Sequence, residues 1–314
     1  MAPNRSSPGG RQTILIAGPT ASGKSGVALE LARRFGGTVI NADSMQVYRE
    51  LQVLTARPGR SEEASVPHRL YGIVSVAEAY SVGRWLDDAA RAIGEAREEG
   101  RLPILVGGTG LYFKALTEGL APVPDIPEEV RAYWRVEAER LGRDALRAVL
   151  AARDPAMAAR LDRADPQRIV RALEVFDATG VSLAEWQGGN TAPVLGSTGV
   201  LRLIIAPERE PLYAAIDARF DTMLERGAME EGHRLMSLNL DLGLPAMRAH
   251  GVRELGAYLA GAVSLEEAVA KSKTETRRYA KRQMTWARRY MTDWDWFPDS
   301  AAAVAAAGAM LARA

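Results

Sequence analysis

The chain has 314 residues, of which 47% are hydrophobic and 25% charged, and it contains no cysteine. That length suffices for one large domain or two modest ones with their own cores, and no apolar run approaches the ~20 residues of a bilayer-spanning helix. The missing cysteine excludes a disulfide scaffold, thiolate-bound zinc, an iron–sulfur cluster and a thiol nucleophile, the scattered His68, His233 and His250 speak against a histidine metal site, and the net charge of +1 looks silent about partners.

Residues 1–11 are rich in Pro, Gly and Ser and lack the apolar run of a secretory leader, so they read as a disordered tail. Residues 13–17 form a short apolar run that ends in Gly, the pattern of a buried parallel strand. A helix is expected over 25–35, with Val27, Ala28, Leu31 and Ala32 on one face and Gly36-Gly37 as its stop. Strands are expected at 38–40 and 70–74. A helix over 82–99 ends at Gly100, and a further strand at 102–106 runs into Gly107-Gly108. Strands alternating with helices predict a doubly wound, parallel α/β core.

The pattern then changes. Residues 119–127 hold Pro122, Pro124 and Pro127 and read as a linker. No strand signal follows until after Trp186. Helices are expected to begin at Glu128, Asp144, Asp154 and Asp165, the last marked by Asp at the cap and Pro166 in the first turn. The Gly/Thr/Pro-rich stretch 187–198 closes this helical part. A strand returns at 201–206, helices run to about Tyr290, and a short strand at 294–297 precedes an Ala-rich helix. The predicted organisation is a core of residues 12–124 and 199–314 with an all-helical insertion of 125–198.

Charge is unevenly spread. Between Lys271 and Tyr290 stand eight cations, Lys271, Lys273, Arg277, Arg278, Lys281, Arg282, Arg288 and Arg289, and one acid, Glu275. That segment carries +7, which leaves −6 for the rest of the chain. It reads either as the footprint of a polyanion or as a solvated helix face.

Gly18-Pro19-Thr20-Ala21-Ser22-Gly23-Lys24-Ser25 fits the phosphate-binding pattern G-x-x-x-x-G-K-[ST], between a predicted strand and a predicted helix. Glycines let backbone N–H groups turn in around phosphate oxygens, the helix start adds partial positive charge and Lys24 a full one, and Ser25 can ligate Mg²⁺ through its hydroxyl. The motif gives a phosphate or diphosphate site without saying whether a phosphoryl group moves. The strand at 102–106 ends in Gly107-Gly108-Thr109-Gly110 and carries no Mg²⁺-orienting acid, which weighs against a small-molecule kinase. The candidate acid is Asp43, after the second strand. Ligands of open α/β sheets bind beyond the carboxyl ends of strands, so Asp43 and Thr109 are expected to face the crevice of the phosphate loop.

These motifs, together with Asp43-Ser-Met-Gln-Val-Tyr-Arg49, Thr55-Ala-Arg-Pro58, Pro67-His-Arg69, Val106-Gly-Gly-Thr-Gly-Leu-Tyr112, Asp165-Pro-Gln-Arg168, Arg171-Ala-Leu-Glu-Val175 and Ala280-Lys-Arg-Gln-Met-Thr-Trp286, run in order along the chain. The set resembles the tRNA dimethylallyltransferase (tRNA isopentenyltransferase) family. The resemblance covers about residues 12–298 and is specific as a set, whereas the phosphate loop alone is not. It implies a P-loop-kinase-like core, a helical insertion gripping the anticodon stem-loop, and Mg²⁺-dependent transfer of a dimethylallyl group from its diphosphate to N6 of adenosine 37 of tRNA. The absence of cysteine matches the compact bacterial form, without an appended zinc finger, and a cytoplasmic monomer is expected.

Roles follow by motif match. Lys24 and Ser25 would hold diphosphate and Mg²⁺, and Arg219 would clamp the diphosphate. Asp43 would take the N6 proton or, alternatively, ligate Mg²⁺. Thr109 would donate to the bridging oxygen of the leaving group. Asp43, Ser44, Met45, Gln46 and Thr109 would meet a flipped-out adenine. Further tRNA contacts are expected from Arg131, from Gln167, Arg168, Ile169, Val170 and Arg171, from Arg248, Gly251 and Arg253, and from Arg278, Lys281 and Arg282, with Tyr279 and Trp286 interleaved. The chain departs from the family pattern at Leu54, where glycine is usual, at Arg57 for lysine, and at Val252 for an aromatic residue.

Overall fold

The computed structural model describes residues 12–161, 165–189 and 191–312. The tail expected at 1–11 lies outside the described residues. Six strands, β1 (Thr13–Ala17), β2 (Gly37–Asn41), β3 (His68–Arg69), β4 (Leu102–Gly107), β5 (Val200–Ile205) and β6 (Asp295–Phe297), form one sheet in the order β3-β2-β4-β1-β5-β6. All its pairings are parallel. β1, β2 and β4 are buried along their whole length, as expected for strands covered on both faces.

In chain order the helices are α1 (Lys24–Phe35), α2 (Arg60–Ser65), α3 (Val82–Glu98), α4 (Gly110–Glu118), α5 (Glu128–Arg153), α6 (Pro155–Arg160), α7 (Pro166–Thr179), α8 (Leu183–Trp186), α9 (Arg209–Glu225), α10 (Ala228–Ser237), α11 (Val252–Leu259), α12 (Leu265–Tyr290) and α13 (Ser300–Leu311). The apolar stripe of α1, Val27, Ala28, Leu31 and Ala32, packs on the sheet with Ile14, Ile104 and Leu203. The Ala-rich α13 joins that core through Ala303 and Ala307, whose small side chains allow close approach.

The chain divides into two compact units, 1–117 with 194–314, and 118–193. The first holds the sheet. The second is all-helical, with its own core of Trp134, Leu146, Leu150, Ile169, Leu173 and neighbours. The two helices expected to start at Glu128 and Asp144 run as α5, broken at Gly142, whose φ of 70° and ψ of 175° are not helical. Asp154 and Asp165 cap α6 and α7 by accepting from Met157 N–H and Gln167 N–H.

One strand expectation is corrected. The edge strand is His68–Arg69, paired with Val39 and Ile40, and the segment 70–74 makes only a bridge from Val74 to Tyr48. The reason lies at Leu70, which has a left-handed φ of 65° that ends the extended run.

Candidate active site

The site is built on the carboxyl ends of β1, β2 and β4. The loop after β1 turns into α1 through Gly23, whose φ of 85° favours glycine and where a Cβ would lie 2.4 Å from Ser300 Oγ. Ala21 also adopts a left-handed φ of 63°, a conformation costing about 1 kcal/mol in a residue with a Cβ. The curled loop lets Lys24 fold back, so that its Nζ donates to Pro19 O at 3.1 Å. Burial pushes the Lys24 pKa down to about 8, with the Asp43 carboxylate raising it and Arg219 lowering it further. Ser25 stands exposed in the first turn of α1.

Asp43 is held by its neighbours. The buried Asn41 at the end of β2 accepts from Asp43 N–H at 2.8 Å and donates from Nδ2 to Asp43 O at 2.9 Å and to Leu70 O at 3.1 Å. Asn41 O in turn accepts from the indole N–H of Trp85, at 2.9 Å. Asp43 Oδ1 accepts from Met45 N–H at 2.9 Å, an Asx turn that fixes the carboxylate. Thr109, after β4, is tied to the same turn: its Oγ1 accepts from Ser44 N–H at 2.9 Å and lies 3.3 Å from Ser44 Oγ.

Arg219 comes from α9 and donates to Thr20 Oγ1. Burial lowers its pKa, and the negative Asp43 opposes that shift. Burial, first, and the Asp43 charge, second, likewise raise the pKa values of Tyr71, Tyr112 and Tyr279, so these phenols stay protonated around the carboxylate. His250, 4.8 Å from the Tyr279 ring, has its pKa lowered by burial and by Arg282 and is neutral near pH 7.

Two cavities open here. One, of about 260 Å³, is lined by Thr20, Asp43, Ser44, Met45, Arg219, Arg248 and His250 among others. The other, of about 220 Å³, is walled by Gly18, Pro19, Gly108 and Thr109 on the loops and by Leu111, Phe113, Met284 and Trp286. Tyr279 and Arg282 line both. The first is rich in charge and the second is mostly apolar. Together they offer a cationic, diphosphate-sized end, a fixed carboxylate and hydroxyl, and an apolar space.

The structure thus brings Lys24, Asp43, Ser44, Met45, Thr109 and Arg219 to one place. Gln46 points elsewhere, its amide donating to Thr55 O at 2.8 Å and Ala56 O at 3.1 Å. In the second unit Gln167 and Arg168 are exposed, Val170 is half-buried, and Arg171 pairs with Glu174 at 3.4 Å. Arg131 is partly buried on α5. Two residues expected at tRNA have no side-chain surface to offer it: Ile169 is fully buried in the core of the second unit, and Gly251 is buried where a Cβ would meet Leu54 at 3.0 Å and Phe220 at 3.1 Å. Arg253 donates to Met247 O and Leu242 O and secures its own loop.

On α12, Lys273 pairs with Asp221 and Arg277 with Asp217, both on α9, and Arg278 pairs with Glu275. Part of the basic segment is therefore matched by carboxylates. Lys281 and Arg282 are exposed, Arg282 lying over the Tyr279 ring at 5.7 Å. Sequence reading gave Asn41 and Gln283 no role. The pattern Asn-x-Asp at a strand end was the available signal for Asn41, whereas nothing local points from Gln283 to the loops it touches.

Residues 46–290 match the sequence model of a family described as IPP transferase, and residues 11–75 match one described as isopentenyl transferase. A protein of Bradyrhizobium sp. strain BTAi1 named tRNA dimethylallyltransferase is 57% identical over 289 residues, covering 92% of this chain and 95% of its own. One of the same name from Azorhizobium caulinodans is 55% identical over 281 residues, 90% of each chain. Among solved structures, the full-length tRNA isopentenylpyrophosphate transferase of Bacillus halodurans is 35% identical with a TM-score of 0.69, covering 96% of both chains. A eukaryotic dimethylallyltransferase captured acting on tRNA is 30% identical with a TM-score of 0.75, covering 88% of this chain and 70% of its own.

Proposed function

The chain belongs to the IPP transferase family, and from that premise we propose that it transfers a dimethylallyl group from dimethylallyl diphosphate to N6 of adenosine 37 in tRNA. In the reaction the N6 lone pair attacks C1 of the dimethylallyl group. The C1–O bond breaks, diphosphate leaves with the electron pair, and N6 gives up a proton. Asp43 accepts that proton; its Oδ1 already holds Met45 N–H, so Oδ2 is the oxygen for the amine. Thr109 donates to the bridging oxygen as negative charge develops there. Lys24 and Arg219 face that charge as a preorganised cationic pair.

The observation that carries this reading is the Ser44 N–H to Thr109 Oγ1 bond of 2.9 Å. It holds the proton acceptor and the leaving-group donor in one hydrogen-bonded unit, beside Lys24 of the phosphate loop and Arg219 of α9. An acid placed for water attack on phosphorus would not need that partner.

The donor set fits Mg²⁺, which takes one or two protein oxygens together with phosphate oxygens and water. Ser25 Oγ would hold it, with Asp43 as the alternative carboxylate ligand, and the ion would neutralise charge on the departing diphosphate. The helical part 125–198 would grip the anticodon stem-loop through Arg131, Gln167, Arg168, Val170 and Arg171, and Arg248, Arg278, Lys281 and Arg282 would add phosphate contacts. Among the described residues no helix is long and apolar enough to cross a membrane. That the protein works as a cytoplasmic monomer is proposed from its likeness to tRNA-modifying relatives.

The test is incubation of the purified protein with labelled dimethylallyl diphosphate, Mg²⁺ and either tRNA, AMP or ATP. Label is expected in tRNA alone. Label in AMP and none in tRNA would make this an adenylate prenyltransferase, and ATP hydrolysis without prenyl transfer would make it a kinase-like enzyme.

A further inference from the structure

Gln283, on α12, touches both loops of the site. Its Oε1 accepts from Thr20 N–H at 2.9 Å, and its Nε2 donates to Gly108 O at 2.9 Å. The same amide meets the Tyr279 hydroxyl. These contacts span 263 and 175 positions of sequence. One end of the side chain must accept and the other must donate, which among uncharged side chains of this length only an amide can do.

The two bonded groups lie beyond adjacent strands. β1 and β4 pair through Ala17 and Gly107, and the ladder fixes the loops up to that point and no further. Beyond it, one loop carries Lys24 and Ser25 and the other carries Thr109. The amide is packed against the second loop so closely that a Cβ on Gly108 would sit 2.0 Å from Gln283 Nε2. A side chain at Gly108 would displace the amide from this position, while the turn itself makes no such demand, since the φ of Gly108 is not left-handed.

We propose that Gln283 is a positioning residue for prenyl transfer: it ties the diphosphate loop to the Thr109 loop and so sets the distance from the bound diphosphate to Thr109 and Asp43. The inference rests on the prenyl-transfer reading above. It also has a consequence for binding. Thr20 N–H is occupied by Gln283 and Ser22 N–H by Pro19 O at 3.2 Å, so the diphosphate would be left to Lys24 and the remaining N–H groups of the loop.

The experiment compares wild type, Gln283→Leu and Gln283→Glu in single-turnover transfer of labelled dimethylallyl groups to tRNA, with tRNA Kd and thermal melting measured alongside. Gln283→Leu is expected to lower the transfer rate on the order of 10- to 100-fold, the scale of a misplacement of about 1 Å. Its tRNA Kd and the salt dependence of that Kd stay unchanged. Gln283→Glu supplies a signature that a purely structural role does not move. As a carboxylate it sets an oxygen against Gly108 O; once protonated it again accepts from Thr20 N–H and donates to Gly108 O. Its rate relative to wild type is therefore expected to rise as pH falls from about 8 to about 5.5, toward the range where a buried carboxyl protonates. A wild-type rate in Gln283→Leu, or a Gln283→Glu ratio flat with pH, overturns the inference while leaving prenyl transfer standing. A wild-type protein that prenylates no tRNA overturns the reading beneath it.

Discussion

The loops at the strand ends and the basic face of α12 are both candidate anion sites, and they are built in opposite ways. At the strand ends the charged groups are few, partly or wholly withdrawn from water, and held by neighbours. Asp43 is fixed by Asn41 and Met45, Arg219 bonds Thr20, and Lys24 bonds Pro19. On α12 the cations are many and mostly exposed, and Lys273, Arg277 and Arg278 are already matched by Asp221, Asp217 and Glu275. The first arrangement suits a small anion whose charge changes during reaction, where a preorganised low-dielectric setting has the most effect. The second suits a long polyanion gripped loosely and screened by salt. Counting charge along the chain misses the difference, since the +7 of the segment shrinks once its partners on α9 are included.

The sharpest way to separate the two regions is to remove the carboxylate. Asp43→Asn keeps the shape of the turn but leaves no base for the N6 proton. Transfer is expected to fall on the order of 10²- to 10⁴-fold while tRNA Kd holds. If tRNA affinity falls instead and turnover at saturation stays normal, Asp43 belongs to binding and the contrast between the regions weakens. Arg219→Lys comes next. It preserves charge but loses the planar fork, and a loss of about 10²-fold in kcat is expected from one weakened stabiliser of the leaving group. An equal loss in tRNA affinity would move Arg219 into the class of the α12 cations.

A titration sharpens the comparison further. Ordinary lysines hold their proton to about pH 10.4. Burial lowers Lys24 to about 8. The sign follows: the free enzyme loses this positive charge as pH rises through 8, so affinity for inorganic diphosphate falls above that point. Calorimetry should show about a tenfold weakening between roughly pH 7 and 9, given one protonated group required for binding. tRNA binding by α12 should be flat over the same window. Lys24→Arg, which stays charged throughout, should remove the slope.

How much of this was legible in the sequence divides along the same line. The strand-end loops could be read because parallel strands, their Gly-rich exits and the phosphate pattern all speak locally, and topology brings Lys24, Asp43 and Thr109 together. The groups that hold them in place are harder to read. Asn-x-Asp at a strand end is a local mark for Asn41, which also bonds the distant Leu70, but no local mark exists for Gln283, which acts across 263 positions. Motif matching also cannot tell a surface from a core. Ile169 lies between exposed Arg168 and half-buried Val170 on the first turns of α7, yet its side chain points inward at helical spacing with Ala172 and Leu173. The strand expected at 70–74 failed because a single left-handed residue, Leu70, carries no mark in its identity.

The smallest expected effect tests the outer region alone. Lys281 makes no ion pair among the described residues, while Arg278 is 2.6 Å from Glu275 and Lys273 is 2.6 Å from Asp221. Lys281→Ala should therefore weaken tRNA binding a few-fold and reduce the salt slope by about 1, the signature of one phosphate contact. Lys273→Ala should leave tRNA Kd unchanged and cost no more than about 1 kcal/mol of stability, the scale of a surface ion pair. Arg278→Ala should fall between them, because Glu275 already takes much of its charge. If all three variants weaken tRNA binding equally, the carboxylate partners on α9 and α12 do not matter. The helix then acts through its summed field, and the division drawn between matched and unmatched cations is wrong.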